Sequence, residues 1–212
     1  MKRAFSRFRA AAAFVAALVL SSAQAGAAPT LNDDERVALT QVSQWLNSIK
    51  TMSGEFTQVS SDGGTSEGTF YLKKPGRLRF EYLPPTPLLV VADGYVIAVE
   101  DTKLETQDRY PLVESPLSVL LNDDVDLSTN ENITKVESRP GELRITARAD
   151  EEELRGTITF VFSMPEISLR YWVVSDPQGV EVTVILAGVK SGVTLSDSLF
   201  EIRDPGEGGP ER

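Results

Sequence analysis

The chain has 212 residues, a formal charge of −10, 41% hydrophobic side chains, and neither cysteine nor histidine. The two absences exclude disulfide frameworks, thiolate and imidazole metal sites, thioether-bound haem, and nucleophile systems built on Cys or Ser/His/Asp. The length suits one to one and a half domains with a sizeable core, and any chemistry would have to run on carboxylates, lysine, hydroxyls or backbone.

Lys2, Arg3, Arg7 and Arg9 precede an unbroken apolar run from Ala10 to Leu20, and Ala23-Gln24-Ala25 sets small residues at the −3 and −1 positions of a cleavage site. This is the three-part layout of a secretory signal peptide, here residues 1–25. The apolar run falls well short of the roughly 20 residues that a spanning helix needs. Cleavage after Ala25 removes four cations and no anions, leaving 17 cations against 31 anions, a charge of −14. A body this acidic repels nucleic acid and anionic lipid surfaces. No cysteine follows the apolar run, so the chain cannot itself receive a thioether-linked lipid. The expected product is a soluble, monomeric protein exported to a bacterial periplasm.

Asn32 is a good N-cap and Glu35 three residues on completes a capping box, while Asp33 and Asp34 suit the positive end of a helix dipole. Ala38, Val42, Trp45, Leu46 and Ile49 then recur at helical spacing, which predicts one amphipathic helix over Asp33 to Ile49, with Trp45 as a packing residue. After Lys50 the period becomes two. Strands are predicted near Ser53–Ser60, Thr65–Lys73, Arg77–Leu83, Leu88–Ala92, Tyr95–Asp101 and Leu104–Arg109. A second group is predicted near Ile133–Ser138, Glu142–Arg148, Arg155–Ser163, Ile167–Val174 and Val180–Gly188. Asp62-Gly63-Gly64, Lys74-Pro75-Gly76, Asp93-Gly94, Pro140-Gly141 and Asp176-Pro177-Gln178-Gly179 punctuate them as tight hairpins. Between the groups, Ser115 caps a short apolar helix that has Pro116 at its first position and ends near Leu121. Residues 203–212 are rich in Pro, Gly and Glu and are expected to be a loose tail, leaving 30–202 as a single domain.

Strands in hairpin order with no interleaved helices give one antiparallel sheet. Alternation makes one face apolar: Phe70 and Leu72, then Leu78, Phe80 and Tyr82, then Ile158, Phe160 and Phe162, then Val182, Val184 and Leu186. Such a sheet can pack on another, close into a barrel, or curl around helices. Only two short helices are available here, so a curled sheet would be covered incompletely.

One stretch carries a resemblance. Phe56-Thr57-Gln58 is followed by Gly68-Thr69-Phe70-Tyr71-Leu72-Lys73-Lys74-Pro75-Gly76-Arg77-Leu78-Arg79-Phe80-Glu81-Tyr82 and, past Pro85, by Leu89-Val90-Val91-Ala92-Asp93-Gly94. In order and spacing this resembles the LolA family of periplasmic outer-membrane lipoprotein carriers, clearly over Thr30 to Leu121 and more loosely to Ile202. The resemblance implies a mainly β (α+β) fold: a strongly curved antiparallel sheet forming an unclosed β-barrel, covered by the N-terminal helix and a short lid helix. It also implies a function. Acyl chains of lipoproteins, released by an inner-membrane ABC transporter, enter an apolar cavity and are passed to an outer-membrane receptor, with no cofactor and no bond made or broken. At about 0.8 kcal/mol per methylene, a fourteen-carbon chain would cost roughly 11 kcal/mol to leave in water, which only an apolar pocket can offset.

The inward positions expected to meet cargo are Phe56, Phe70, Leu72, Phe80, Tyr82, Leu89, Val91, Leu117, Leu120, Phe160, Phe162 and Tyr171, a set that a one-residue slip in strand phase would exchange. In the family a basic residue just before this proline hydrogen-bonds lid backbone and latches the lid. That position is Lys74, whose flexible ammonium offers no planar fork. Other signals are bland. Asn122-Asp123-Asp124-Val125-Asp126 lacks the Gly and the closing acid of a calcium loop, having Leu127 and Ile133 there. Asp150-Glu151-Glu152-Glu153 reads as a solvated hairpin tip. No two carboxylates are placed inward as an acid/base pair, so no enzyme is expected. The alternatives are a carrier of another amphiphilic lipid, or a sensor of the same shape that transports nothing.

Overall fold

A computed structural model describes residues 31–148 and 156–204. The signal segment, the acidic run at 150–153 and residues 205–212 lie outside the described residues. Helix α1 spans Asp33–Ser48 and opens as its sequence dictates: Glu35 N donates to Asn32 Oδ1 (2.9 Å), and Asn32 N donates to Glu35 Oε2 (3.0 Å). It buries Leu39, Val42, Ser43 and Leu46, with Ile49 as C-cap; Ala38 and Trp45 are only partly buried, so the covered stripe is rotated slightly from the predicted one.

Eleven strands follow: β1 Thr51–Ser60, β2 Thr65–Lys73, β3 Arg77–Tyr82, β4 Leu88–Asp93, β5 Val96–Asp101, β6 Thr106–Pro111, β7 Ile133–Arg139, β8 Glu142–Arg148, β9 Thr157–Ser163, β10 Ser168–Ser175 and β11 Glu181–Ser191. They form one antiparallel sheet in the order β6-β5-β4-β3-β2-β1-β11-β10-β9-β8-β7. Two hairpin meanders thus meet at the β1–β11 pair, and β6 and β7, consecutive in sequence, stand at opposite edges. The barrel is unclosed, as expected. The chain between those edges supplies a 3-10 turn at Leu112–Glu114 and helix α2 at Ser118–Leu121. Helix α2 starts later than Ser115 because Pro116 and Leu117 form a turn, with Leu117 N on Ser115 Oγ at 3.3 Å. Strand β6 likewise starts after Leu104, since Asp101 Oδ1 accepts from Lys103 N and Leu104 N and bends those residues into the hairpin.

One core fills the concave side. It joins α1 to Met52, Phe56, Phe70, Leu72, Leu78, Phe80, Leu143, Ile145, Phe160, Phe162 and Trp172, with Leu120 and Leu121 of α2. Phe56 lies over Gly68, where an added Cβ would sit 2.5 Å from its ring, so the close approach requires glycine. The chain past β11 crosses the outer face. Asp197 binds Lys73 (2.5 Å) and Arg77 (2.6 Å), Leu199 O accepts from Arg79 Nη1, and Phe200 is buried where its 3-10 turn, Asp197–Phe200, meets β3 and β4. Arg203 and Asp204, expected at the start of a loose tail, are instead tied to the sheet. Arg203 O accepts from Gln107 Nε2 (2.9 Å), and Asp204 pairs with Arg109 (3.2 Å).

Candidate functional site

The concave face ends in an apolar chamber beneath both helices. Its walls are Trp45, Leu46 and Ile49 of α1, Met52, Phe70, Leu72, Leu78, Phe80, Leu169, Trp172 and Leu186 of the sheet, and Leu117, Leu120 and Leu121 of the lid; Lys74 is the single polar lining residue. The space left among them is about 30 Å³. That is room for one or two waters and not for a hydrocarbon chain, so the chamber is filled almost completely by the protein's own side chains. Aromatic rings meet along it edge to face: Phe56 with Phe80 (4.8 Å) and Tyr82 (4.9 Å), and Phe80 with Trp172 (5.8 Å).

Alternation along β2 carries Phe70 and Leu72 inward and, two residues on, Lys74. Its ammonium reaches the C-terminal turn of α1, donating to Leu46 O at 3.0 Å, with only 8% of the residue exposed. Burial first, then the Lys50 ammonium, brings its pKa from 10.5 down to about 8 against the opposing pull of Asp123. The bond expected from Lys74 to lid backbone therefore goes to α1. The short lid helix is held instead by main chain, Gly76 N donating to Leu121 O at 2.9 Å. Gly76 has φ +73° and touches Gly94, so this turn admits no side chain. A strap from Asn122 to Ser128 ties lid to α1: Asn47 exchanges two hydrogen bonds with Val125 backbone (2.9 and 3.0 Å), Ser43 Oγ accepts from Leu127 N, and Lys50 pairs with Asp123.

Of the expected cargo positions, Phe70, Leu72, Phe80, Leu117 and Leu120 line the void, while Phe56, Phe160 and Phe162 are buried in the same core. Tyr82 is partly buried at its rim, its hydroxyl on Gln58 Oε1 at 2.6 Å, and burial raises its pKa to about 12. Three positions are corrected. Leu89 and Val91 pair with Glu81 and Arg79, whereas Phe80 pairs with Val90 and Leu78 with Ala92, so Leu89 and Val91 face outward. Tyr171 also faces outward, and Trp172 takes its place. Arg170 is an extra residue in β10, with Leu169 opposite Phe162 but Tyr171 opposite Val161, and this bulge shifts the phase by one. On the outer face Tyr171 OH accepts from Arg144 Nη2 (2.7 Å). These two side chains flank Val161, which is fully buried.

The sequence-based set left out Trp45, Leu46 and Ile49 of α1, Leu121 of α2, and Met52, Leu78, Leu169, Trp172 and Leu186 of the sheet, all of which line the void. Met52 follows from the Phe56 alternation, Leu78 from Phe80 and Leu169 from the phase expected for Tyr171; Trp172 needed the bulge. Residues 47–203, which include every sheet and lid wall of this chamber, match the family described as outer membrane lipoprotein carrier protein LolA. The chain belongs to the LolA family. Among its relatives, the outer-membrane lipoprotein carrier protein of Coxiella burnetii is 31% identical over 185 residues, covering 78% of this chain and 82% of that protein. That of Methylococcus capsulatus is 27% identical over 180 residues, covering 81% and 86%. A Rickettsia prowazekii protein named only as uncharacterized is 26% identical over 172 residues, covering 81% and 79%. A solved LolA superfamily structure from Nitrosomonas europaea superposes with a TM-score of 0.42 at 9% identity, over 77% of this chain and 97% of that one. In this LolA-type carrier the chamber under the two helices is apolar and nearly filled.

Proposed function

We propose that this LolA-family protein is a non-catalytic periplasmic carrier that takes the acyl chains of outer-membrane lipoproteins into the chamber under α1 and α2. In this reading residues 1–25 are removed on export and 30–202 act as one domain. Cargo arrives from an inner-membrane ABC transporter and leaves to an outer-membrane receptor. The observation that supports it is a chamber walled by apolar side chains and shut by a few polar contacts, chiefly Lys74 to Leu46 O and Gly76 to Leu121 O. Lifting the helices exposes Phe70, Leu72, Phe80, Leu117 and Leu120, and only another apolar body restores their burial. The acyl chain loses its own contact with water in the same step, so the exchange stays near balance and the cargo can be handed on. Lys74 is the latch of the closed state.

Mass spectrometry of the protein purified from the periplasm tests the reading. Triacylated proteins bound at stoichiometric level are the expected result. Free lipid alone points to a carrier of another amphiphile, and no bound acyl chain at all overturns the proposal. Lys74→Leu should change the ratio of lipoprotein-bound to free carrier; an unchanged ratio removes Lys74 from the latch.

A further inference from the structure

Strands β10 and β11 pair only from Tyr171↔Ile185 to Ser175↔Glu181. Beyond Ile185, β11 runs on to Ser191 against β1 alone, and Ser168 and Leu169 pair with β9 alone. The two strands part at the level where each carries an extra residue: Arg170 in β10, and one of Gly188 and Val189 in β11, where Ser53↔Lys190 is followed by Glu55↔Ala187. Bulges bend and twist the strands that hold them, and these two lie on either side of one split.

The split is a trough of about 280 Å³. Its lining comes from both faces of the sheet: Tyr171 and Ile185 from the outer, Trp45, Met52, Leu169 and Leu186 from the concave. A trough can draw on both faces only where it passes between strands. The same four concave residues also wall the 30 Å³ void, so they are the partition between void and trough. Trp45 stands edge-on to Phe162 at 5.9 Å in this partition, and Ile185 and Val189, each 43% exposed, leave the outer rim apolar.

We propose that this seam is a side opening of the chamber, and that an acyl chain lies in it with its inner end behind Trp45. The proposal rests on the carrier reading above and adds where a chain fits when the closed void does not hold one. A hydrocarbon is favoured over an added peptide strand. The lining is mostly apolar, with Ser168, Arg170 and Tyr171 as its polar members, and the bulge with Gly188 at φ +58° breaks the regular edge that a strand would need.

The native chain has no cysteine, which allows a blocking test on the folded protein. Ala187→Cys, at an exposed position in the trough, is labelled with a bulky maleimide after folding, and Leu104→Cys, 69% exposed in wild type on the β5–β6 hairpin, carries the same label as the control. Uptake of a fluorescent triacylated lipopeptide from micelles should be roughly tenfold or more slower in the first than in the second. Adding Trp45→Ala should speed uptake in the Leu104-labelled chain and leave the Ala187-labelled chain unchanged. Equal rates for the two labelled chains, or acceleration by Trp45→Ala in both, overturn the side opening while leaving the carrier reading intact. Protection of the Ala187→Cys thiol by the lipid-free peptide shows a strand site and also overturns it. No uptake by the unmodified protein removes the carrier reading, and the proposal with it.

Discussion

Phe160 and Val161 are adjacent in β9, equally buried, and on opposite faces of the sheet. Phe160 lies in the concave core that α1 shares through its buried Leu39, Val42 and Leu46. Val161 lies on the outer face, flanked by the bonded pair Arg144 and Tyr171, and farther along that face Val91 and Ala98 are buried near the crossing C-terminal chain. Burial alone therefore does not mark a site. What separates the faces is the cover: two helices packed across the concave side, against side chains rooted in the sheet and a crossing chain on the outer side.

The comparison can be broken most sharply at its two aromatic anchors. Phe160→Ala should cost about 3–5 kcal/mol by urea unfolding and reduce lipopeptide uptake, because it opens a hole in the concave core. Phe200→Ala, under the outer cover, should cost roughly 2–4 kcal/mol, since the crossing chain can relax, and should leave uptake per folded molecule unchanged. Loss of uptake with Phe200→Ala would erase the distinction between the faces.

Lys74 sharpens it through pH. Its amine releases its proton near pH 8 when folded and near 10.5 when unfolded, so between these values the unfolded chain holds more protons and stability rises with pH. Urea unfolding of wild type relative to Lys74→Met should show a gain of roughly 1–3 kcal/mol across that window. The difference also cancels Tyr82 and Tyr110, whose raised pKa values act in the opposite sense above pH 10. A flat difference would show that the ammonium is solvated and no latch.

The smaller effects concern the anchors of each cover. Asn32→Ala removes the cap of α1 and should lower stability by about 1 kcal/mol. Asp197→Asn loosens the exposed contact of the C-terminal chain with Lys73 and Arg77 and should have the smallest effect in the set, detectable as a loss of salt sensitivity in the melting temperature. A larger loss from Asp197→Asn than from Asn32→Ala would mean that the outer cover is the more critical one.

Much of this was legible in the chain. Asn32 and Glu35 form the capping box they spell, Phe70, Leu72, Leu78 and Phe80 face inward as period two requires, and the hairpin glycines set the strand order. Leu89, Val91 and Tyr171 were misplaced for two distinct reasons. On β4 every candidate from Leu88 to Ala92 is apolar, so alternation carries no phase, and only pairing with Phe80 and Leu78 supplies it. On β10 the pattern Leu169, Tyr171, Val173 is plausible until Arg170 is left without a partner and the phase slips to Trp172.

By itself, then, the sequence determined the elements, their hairpin order, one apolar face and an inward lysine after Leu72, because these follow from local spacing and backbone preference. Tertiary structure alone decided where that lysine binds, which bulges rotate β10 and β11 apart, and how little space remains under the helices. Those outcomes depend on the register between strands distant in the chain and on the volume left once side chains interlock, and neither quantity is written in any local run of residues.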